Sequence, residues 1–244
     1  MALRALIICA TPRSGTTLLC DLLADTGITG TPNSFYRAES VSEFAQRFGV
    51  ADGADFERRY LAAILRAGRG RTELFSMRVM WPSLPELSGK LATLFPDQAT
   101  DRDRLAAAFG TPLYLFVGRR DKLAQAISRH KAEQSGLWHR AADGRAREQD
   151  GAYRPPAYDA AAIRASIAET IDHEAKWRDW FARQGIMPME LSYEELSADP
   201  QAAMAKLLSA LRRDPAIARR IAPRTARLAD EVSRQWAERF AAEN

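Results

Sequence analysis

The chain has only two cysteines, Cys9 and Cys20, among its 244 residues. Two cysteines cannot build the disulfide framework of a small secreted domain, and both fall in apolar patterns where cysteine acts as a small core residue. No apolar run reaches the roughly 20 residues that a membrane-spanning helix needs. The N-terminus also lacks a basic region followed by a small-residue cleavage site. We therefore expect a soluble, cytoplasmic protein without a membrane span.

The sequence also lacks a large excess of charge of one sign. The 35 basic and 31 acidic residues leave a net charge of +4, without the concentrated basic face that nucleic-acid-binding domains carry. We expect no nucleic-acid partner, although a mild positive bias can help to attract an anionic ligand. The length and the 46% hydrophobic content suit one large α/β domain spanning residues 1–244.

Short apolar segments alternate with helical patterns along the chain. Residues 3–10, 113–117 and 187–191 have the length and composition of buried strands, and residues 74–77 form a fourth such segment. A long helix is predicted from Asp159 to about residue 184. Ser40 and Ser192 each stand three residues before a Glu, as in a helix capping box. This alternation predicts a mainly parallel sheet with right-handed crossovers.

The first strand runs directly into the sequence TPRSGTT, residues 11–17, and a helical pattern follows. A strand, a tight turn and a helix N-terminus form a cradle for a phosphate-type anion. In the ATP-type loop a lysine follows the second glycine, whereas here Thr16 occupies that position and the cation is Arg13. The loop therefore predicts an anionic ligand other than ordinary Mg·ATP, the alternative being a strand–turn–helix without a ligand. The candidate contacts are Arg13, Ser14, Gly15, Thr16 and Thr17.

A second candidate anion site follows the strand at 113–117. That strand ends in Arg119-Arg120-Asp121, and the next helix carries Ser128 two turns from its start. The carboxyl ends of parallel strands form the edge where α/β folds bind ligands, so an arginine and Ser128 could hold a second phosphate. The alternative is that both arginines are solvated and that Asp121 caps the helix.

These elements together resemble the PAPS-dependent sulfotransferases, and more narrowly the bacterial trehalose 2-sulfotransferase family. The loop motif alone is moderately specific, whereas the whole set in this order is strongly specific. The resemblance extends over nearly the whole chain. It rests on the run 11–19, Thr26-Gly27, Met80-Trp81, Gln125-Ala126-x-Ser128, Trp138, the run LSYEEL at 191–196, and Trp236-x-Glu238-Arg239-Phe240.

The resemblance implies a P-loop-type three-layer α/β/α sandwich that transfers the sulfuryl group of PAPS (3′-phosphoadenosine 5′-phosphosulfate) to a hydroxyl of a carbohydrate or glycolipid. PAP is then the product, no metal is expected, and a homodimer is possible. The loop, with Arg13 as a catalytic cation, would bind the 5′-phosphosulfate. Ser128 and a strand-end arginine would bind the 3′-phosphate. Alignment with the family favours Arg119, whereas the spacing in other sulfotransferases favours Arg120.

The residue expected to act as the base differs from the family pattern. The trehalose enzyme has a glutamate two residues after the loop proline, and here Ser34 follows Pro32 at that spacing. A serine hydroxyl is a poor general base without help. Either another residue substitutes, with Glu39 and His130 nearest to the motifs, or the transition state is loose enough to need little base catalysis. A third possibility is a PAPS- or PAP-binding module with weak or no turnover.

The runner-up function is a P-loop small-molecule kinase, which Thr16 at the lysine position disfavours. Three aromatic residues are candidate stacking surfaces for a sugar ring or adenine, although aromatics at such positions are equally often core. They are Phe35, Trp81 and Trp138. Two irregular stretches, residues 27–37 and 141–156, are candidate substrate lids.

Overall fold

A four-stranded parallel sheet forms the centre of the computed structural model, which describes residues 3–140, 146–149, 153–223 and 230–243. The strands lie in the order β2-β1-β3-β6, so every connection within the sheet is a crossover. A separate antiparallel ribbon joins β4 and β5. The bounds are β1 (Ala5–Ala10), β2 (Phe75–Met80), β3 (Pro112–Gly118), β4 (Leu137–Arg140), β5 (Ala146–Gln149) and β6 (Met189–Ser192).

Helices connect these strands and cover both faces of the sheet. Within the described ranges they are α1 (Thr16–Thr26), α2 (Ala38–Arg47), α3 (Phe56–Arg69), α4 (Leu84–Leu94), α5 (Asp101–Phe109), α6 (Lys122–Ser135), α7 (Ala160–Gln184), α8 (Tyr193–Ala198), α9 (Pro200–Ala210) and α10 (Glu231–Glu243). Two 3-10 turns lie at Trp81–Ser83 and Pro215–Arg220.

Side chains of the fully buried strand β1 alternate between two hydrophobic cores. Ile7 and Cys9 face α2 to α5 and α7, whereas Leu6 and Ile8 face α1, α8 and α9. Burying a Leu or Ile side chain stabilises a fold by about 1.5–3 kcal/mol, so a strand that is apolar on both faces drives helices onto both sides of the sheet. The predicted three-layer α/β/α architecture is thus confirmed.

All four predicted strands are present, with shifted ends. The largest difference is at β2, which continues to Met80, three residues beyond the predicted end, and so includes Arg78. The long helix is confirmed as α7. The carboxylate of Asp159 accepts from the amide of Ala162 at its start, and Gly185 ends it in a left-handed conformation.

One of the two predicted capping boxes is wrong. Ser192 accepts from the amide of Glu195, and the Glu195 carboxylate accepts from the amide of Ser192, as predicted. The helix α2, however, begins at Ala38, and the amide of Ser40 already donates to the carbonyl of Arg37 at 2.8 Å. Ser40 therefore lies inside the first turn instead of capping it.

The predicted irregular stretch 141–156 lies in part outside the described residues. Within it, β5 pairs with β4, so this part of the stretch is a ribbon strand and not a loop. Among the helices that the structure describes, none combines the length and the apolar character that crossing a membrane requires.

Candidate active site

The loop 11–15 lies at the carboxyl end of β1, in the middle of the sheet, and leads into α1. Gly15 precedes the helix with φ of 82°, in the left-handed region that favours glycine. A Cβ on Gly15 would lie 2.6 Å from Cδ2 of Tyr193, the first residue of α8. The turn and the Tyr193 ring are therefore in direct contact, and the position admits only glycine.

Arg13 adopts a left-handed backbone conformation, with φ of 64°. Such a conformation costs a non-glycine residue about 1–3 kcal/mol and persists where surrounding contacts enforce it. Its Nε donates to Oγ of Ser128 at 3.0 Å, and its Nη1 donates to the carbonyl of Trp138 at 2.7 Å. The structure thus brings together Arg13 and Ser128, which are 115 residues apart in the sequence.

Two further side chains fasten the loop to the helices around it. The side-chain amide of Gln125 donates to Oγ1 of Thr11 at 3.0 Å and to the carbonyl of Pro12 at 2.7 Å. The indole N–H of Trp177, which is fully buried on α7, donates to the carbonyl of Ala10 at 3.0 Å. The loop is therefore preorganised by α6 and α7 and does not depend on a ligand for these contacts.

Ser14 differs from the expectation of a hydroxyl that faces the anion. Its side chain is fully buried, and its Oγ donates to the carbonyl of Thr11 at 2.8 Å. A contact from Ser14 to a ligand would have to come from its backbone amide. The hydroxyls of Thr16 and Thr17 instead lie beside a cation from another strand, which no motif in the sequence marks.

That cation is Arg78, near the carboxyl end of β2. Its Nη1 donates to Oγ1 of Thr16 at 3.3 Å and to Oγ1 of Thr17 at 3.2 Å, while its Nε donates to Oγ of Ser34 at 2.8 Å. Arg78 as a whole is half-buried. A single arginine inside an otherwise apolar strand was the available signal, and the predicted end at residue 77 stopped one position short of it.

Ser34 reaches Arg78 because the segment after α1 runs beside β2. Asn33 forms a parallel bridge with Met77, and the amide of Arg78 donates to the carbonyl of Asn33 at 3.0 Å. The carboxamide oxygen of Asn33 accepts from the amide of Ser34. Backbone pairing thus places the buried Ser34 hydroxyl at the edge of the phosphate-type loop.

The two candidate strand-end arginines have different surroundings. The guanidinium of Arg119 stacks on the Tyr193 ring at 4.5 Å, and that ring packs against Gly15. The side chain of Arg120 is 70% exposed and pairs with Glu195 at 3.6 Å. Since one aromatic ring separates Arg119 from the loop, Arg119 fits a site cation better than Arg120 does.

Two carboxylates fix the turn that carries Arg119. Glu194 accepts from the amides of Arg120 and Asp121, at 3.1 and 3.2 Å. Burial raises the pKa of Glu194, but these backbone donors outweigh it and hold the pKa below its ordinary value. Asp121 accepts from the amide of Ala124 at 2.8 Å and so caps α6, as the sequence suggested.

The three aromatic candidates separate into one core residue and two at the site edge. Phe35 is only 2% exposed and packs against Phe44 and Phe75, so its proposed role as a stacking surface for substrate is wrong. Trp81 follows β2 directly and is half-buried, with its ring edge-to-face against another tryptophan. Trp138 is half-buried, and its carbonyl accepts from Arg13.

Neither alternative base is placed to act on the loop. The Glu39 side chain is 73% exposed and pairs with Arg37, and its own backbone amide, followed by Arg37, lowers its pKa. His130 is buried between α6 and α10, where its ring lies 5.9 Å from the ring of Trp236. In the described part of the chain, no cluster of three His, Cys, Asp or Glu side chains could hold a metal ion.

The chain is similar to known proteins over nearly its whole length. Trehalose 2-sulfotransferase of Mycobacterium tuberculosis is 29% identical to this chain, over 99% of the chain and 96% of that protein. The Mycolicibacterium smegmatis protein of the same name is 26% identical, over 97% and 94%. A solved sulfotransferase from Alicyclobacillus acidocaldarius aligns at 13% identity over 100% of this chain and 92% of its own, with a TM-score of 0.43. The Stf0 sulphotransferase family model matches residues 5–243, and the chain therefore belongs to that family.

Proposed function

We propose that the protein transfers the sulfuryl group of PAPS to a hydroxyl group of a carbohydrate or glycolipid, leaving PAP. The observation that carries the proposal is the contact between Arg13 and Ser128 at the start of α1. The two phosphate groups of PAPS are attached to one ribose, so the anchors for both must lie close together. Family membership and the names of the two curated relatives support sulfuryl transfer and a carbohydrate acceptor.

A buried donor atom in Arg119 fits this nucleotide. Its Nε is buried and has no hydrogen-bond partner among the described residues. A buried guanidinium N–H without an acceptor is costly, and the 3′-phosphate of PAPS would supply one. We assign the 3′-phosphate to Arg119 and Ser128, and the 5′-phosphosulfate to Arg13, Thr16, Thr17 and the amides of the turn from Ser14 to Gly15.

The loop would contribute to the reaction by stabilising negative charge. PAPS, when bound, supplies an activated sulfuryl group, and negative charge grows on the 5′-phosphate oxygen as the sulfur–oxygen bond breaks. In this proposal Arg13, the turn amides and the N-terminal end of α1 stabilise that charge. Fixed donors of this kind need no reorganisation at the transition state, and losing one typically costs about 10²–10³-fold in rate.

The acceptor side is assigned to Ser34, Trp81 and Trp138. Ser34 accepts a hydrogen bond from Arg78, which makes its hydroxyl a still poorer base. We therefore favour a loose transition state that needs little base assistance over substitution by Glu39 or His130. A half-buried indole gives a sugar ring an apolar face to stack on, which is the role proposed for Trp81 and Trp138.

Binding of PAP tests the donor assignment directly. Isothermal titration of the purified protein with PAP should give micromolar affinity or better, unchanged by EDTA. Transfer of label from sulfur-labelled PAPS to trehalose and to a panel of other sugars and glycolipids should then be measured. A preference for Mg·ATP over PAP would favour the kinase alternative, and PAP binding without transfer to any acceptor would favour the binding module.

Arg119 and Arg120 offer a matched pair of variants. Arg119→Met should weaken PAP binding by about 10–100-fold, because a charge-assisted hydrogen bond contributes about 1.5–3 kcal/mol. Arg120→Met should leave PAP binding nearly unchanged, since that side chain faces solvent and pairs with Glu195. The opposite ranking of the two variants in titration would reassign the 3′-phosphate to Arg120.

Three expectations stay predictions. They are the single domain over residues 1–244, the cytoplasmic location and the homodimer. The single domain is supported by the site itself, because residues as far apart in the sequence as Arg13 and Tyr193 lie close together there.

A further inference from the structure

Arg78 extends from one side of the site to the other. Its Nη1 touches the hydroxyls of Thr16 and Thr17 at the start of α1, and its Nε touches Ser34 on the segment beside β2. The proposed function places the donor anion against the first two residues and the acceptor near the third. A group that moves from that donor to that acceptor would pass close to this guanidinium.

The Arg78 guanidinium forms no ion pair with any described residue. Its three hydrogen-bond partners are neutral hydroxyls, and within the described ranges no carboxylate lies within 4.0 Å of it. A guanidinium keeps its positive charge throughout the working pH range. It also lies at the N-terminal end of α1, where the helix dipole adds a partial positive charge. An anion bound at this point would compensate both the charge of the Arg78 guanidinium and the partial positive charge at the start of α1.

We propose that Arg78 contacts the sulfuryl group during its transfer, and that Ser34 is a positioning residue that orients the Arg78 guanidinium. The inference rests on the proposed function and adds a catalytic cation to it. The neutral partners hold Arg78 in place while leaving its charge uncompensated, as a group that binds a transient anionic centre requires.

The step balances without a protein base. The bond between sulfur and the 5′-phosphate oxygen breaks, and its electron pair stays on that oxygen. A lone pair of the acceptor hydroxyl forms the new bond to sulfur, and the hydroxyl proton passes to water. Arg78 donates to the sulfuryl oxygens throughout, while Arg13 stabilises the charge left on the phosphate. The rate should then show no ionisation of a catalytic carboxylate between pH 5 and 8.

A glutamate at position 34 provides a discriminating variant. In Ser34→Glu a carboxylate would take the place of the hydroxyl that now lies 2.8 Å from Nε of Arg78, and the two charges would form an ion pair. The cation would be neutralised, so Ser34→Glu should lower the transfer rate, whereas Ser34→Ala should lower it only modestly. A rate increase in Ser34→Glu would show that a base was missing and would overturn the inference.

The comparison of PAPS with PAP tests Arg78 without any acceptor, because only PAPS carries the sulfuryl group. Arg78→Met should bind PAP within roughly threefold of wild type but should lose about tenfold or more in PAPS affinity, and Arg78→Lys should recover part of the loss. With an acceptor, kcat for Arg78→Met should fall about 10²–10³-fold. Arg119→Met is the control, since it should weaken PAP and PAPS equally.

The outcomes separate the two proposals. Failure of the wild-type protein to bind PAP contradicts the proposed function. Wild-type binding of PAP together with an unchanged ratio of PAPS to PAP affinity in Arg78→Met contradicts the role of Arg78 alone. Thermal unfolding of each variant shows whether it is folded. If Arg78→Met does not fold, the ratio of PAPS to PAP affinity is measured on Arg78→Lys instead.

Discussion

Residue 15 must be glycine for two separate reasons, its left-handed φ and its contact with the Tyr193 ring. Gly15→Ala should therefore destabilise the fold by about 1–3 kcal/mol and weaken PAP binding, because the turn or the ring must move. Gly27→Ala is the matched control: its φ of 68° is similarly left-handed, but a Cβ there meets nothing within 4 Å. Thermal unfolding and PAP titration of both variants isolate the contribution of the Tyr193 contact. Equal losses in the two would show that this contact is unimportant.

The residues of the phosphate-type loop could be read from the sequence because they are consecutive. Arg13 through Thr17 run from the turn into the start of α1, and their spacing carries the signal. Arg78 could not be found in the same way, because its three partners lie 44 to 62 residues away and meet it only across the sheet. The inward Ser14 hydroxyl and the buried Phe35 ring were misjudged for a related reason, since residue type does not tell which way a side chain points.

The helices α6 and α7 are joined through a partly buried ion pair that supports the turn carrying Arg119. Nζ of Lys122 lies 2.5 Å from Oε1 of Glu174 and also donates to the carbonyl of Arg119. The Glu174 side chain is only 9% exposed. Lys122→Met would leave that carboxylate buried and unpaired, which should cost about 3–5 kcal/mol of stability in denaturant unfolding.

A double variant distinguishes a lost charge partner from a general packing defect. Lys122→Met with Glu174→Leu should recover most of the stability, because a well-packed apolar pair often replaces a buried ion pair at little cost. Arg234→Met, which breaks an exposed pair with Glu238, should have a much smaller effect. Additive losses in the double variant would contradict this account.

The periodicity of apolar residues predicted which segments are helices and which are strands. It predicted where a helix begins only where a capping residue was unambiguous. Asp159 and Ser192 cap helices as predicted, because a short polar side chain can satisfy the free amides of a first turn in either case. The β4–β5 ribbon was not predicted. Its strands are four residues long, and neither shows the alternation of apolar and polar residues by which a strand is recognised.

At the scale of the whole molecule, several helix starts depend on ionised carboxylates. The amide of Ala162 lowers the pKa of Asp159, the Ser192 hydroxyl lowers that of Glu195, and the backbone donors at the start of α6 lower that of Glu194. A carboxylate whose pKa is lower in the folded state stabilises the fold above its unfolded pKa. Its contribution is lost as the pH falls through the folded value. The fold should therefore weaken below about pH 4.5.

Glu194→Gln tests this dependence. The variant should be less stable than wild type at pH 7, and the difference in melting temperature should shrink below the ordinary pKa of 4.5 and vanish as the wild-type carboxylate becomes protonated. A difference that stays constant between pH 7 and pH 3 would mean that the charge of Glu194 plays no part.

Main-chain atoms pair the segment that carries residue 34 with the strand that carries Arg78. The bridge between Asn33 and Met77 and the bond from the Arg78 amide to the Asn33 carbonyl involve main-chain atoms alone. Neither depends on which amino acid follows Asn33. The side chain at position 34 can therefore be replaced without rebuilding the scaffold that presents it, and the replacement acts on the site through Arg78. Acceptor chemistry can diversify there within one architecture.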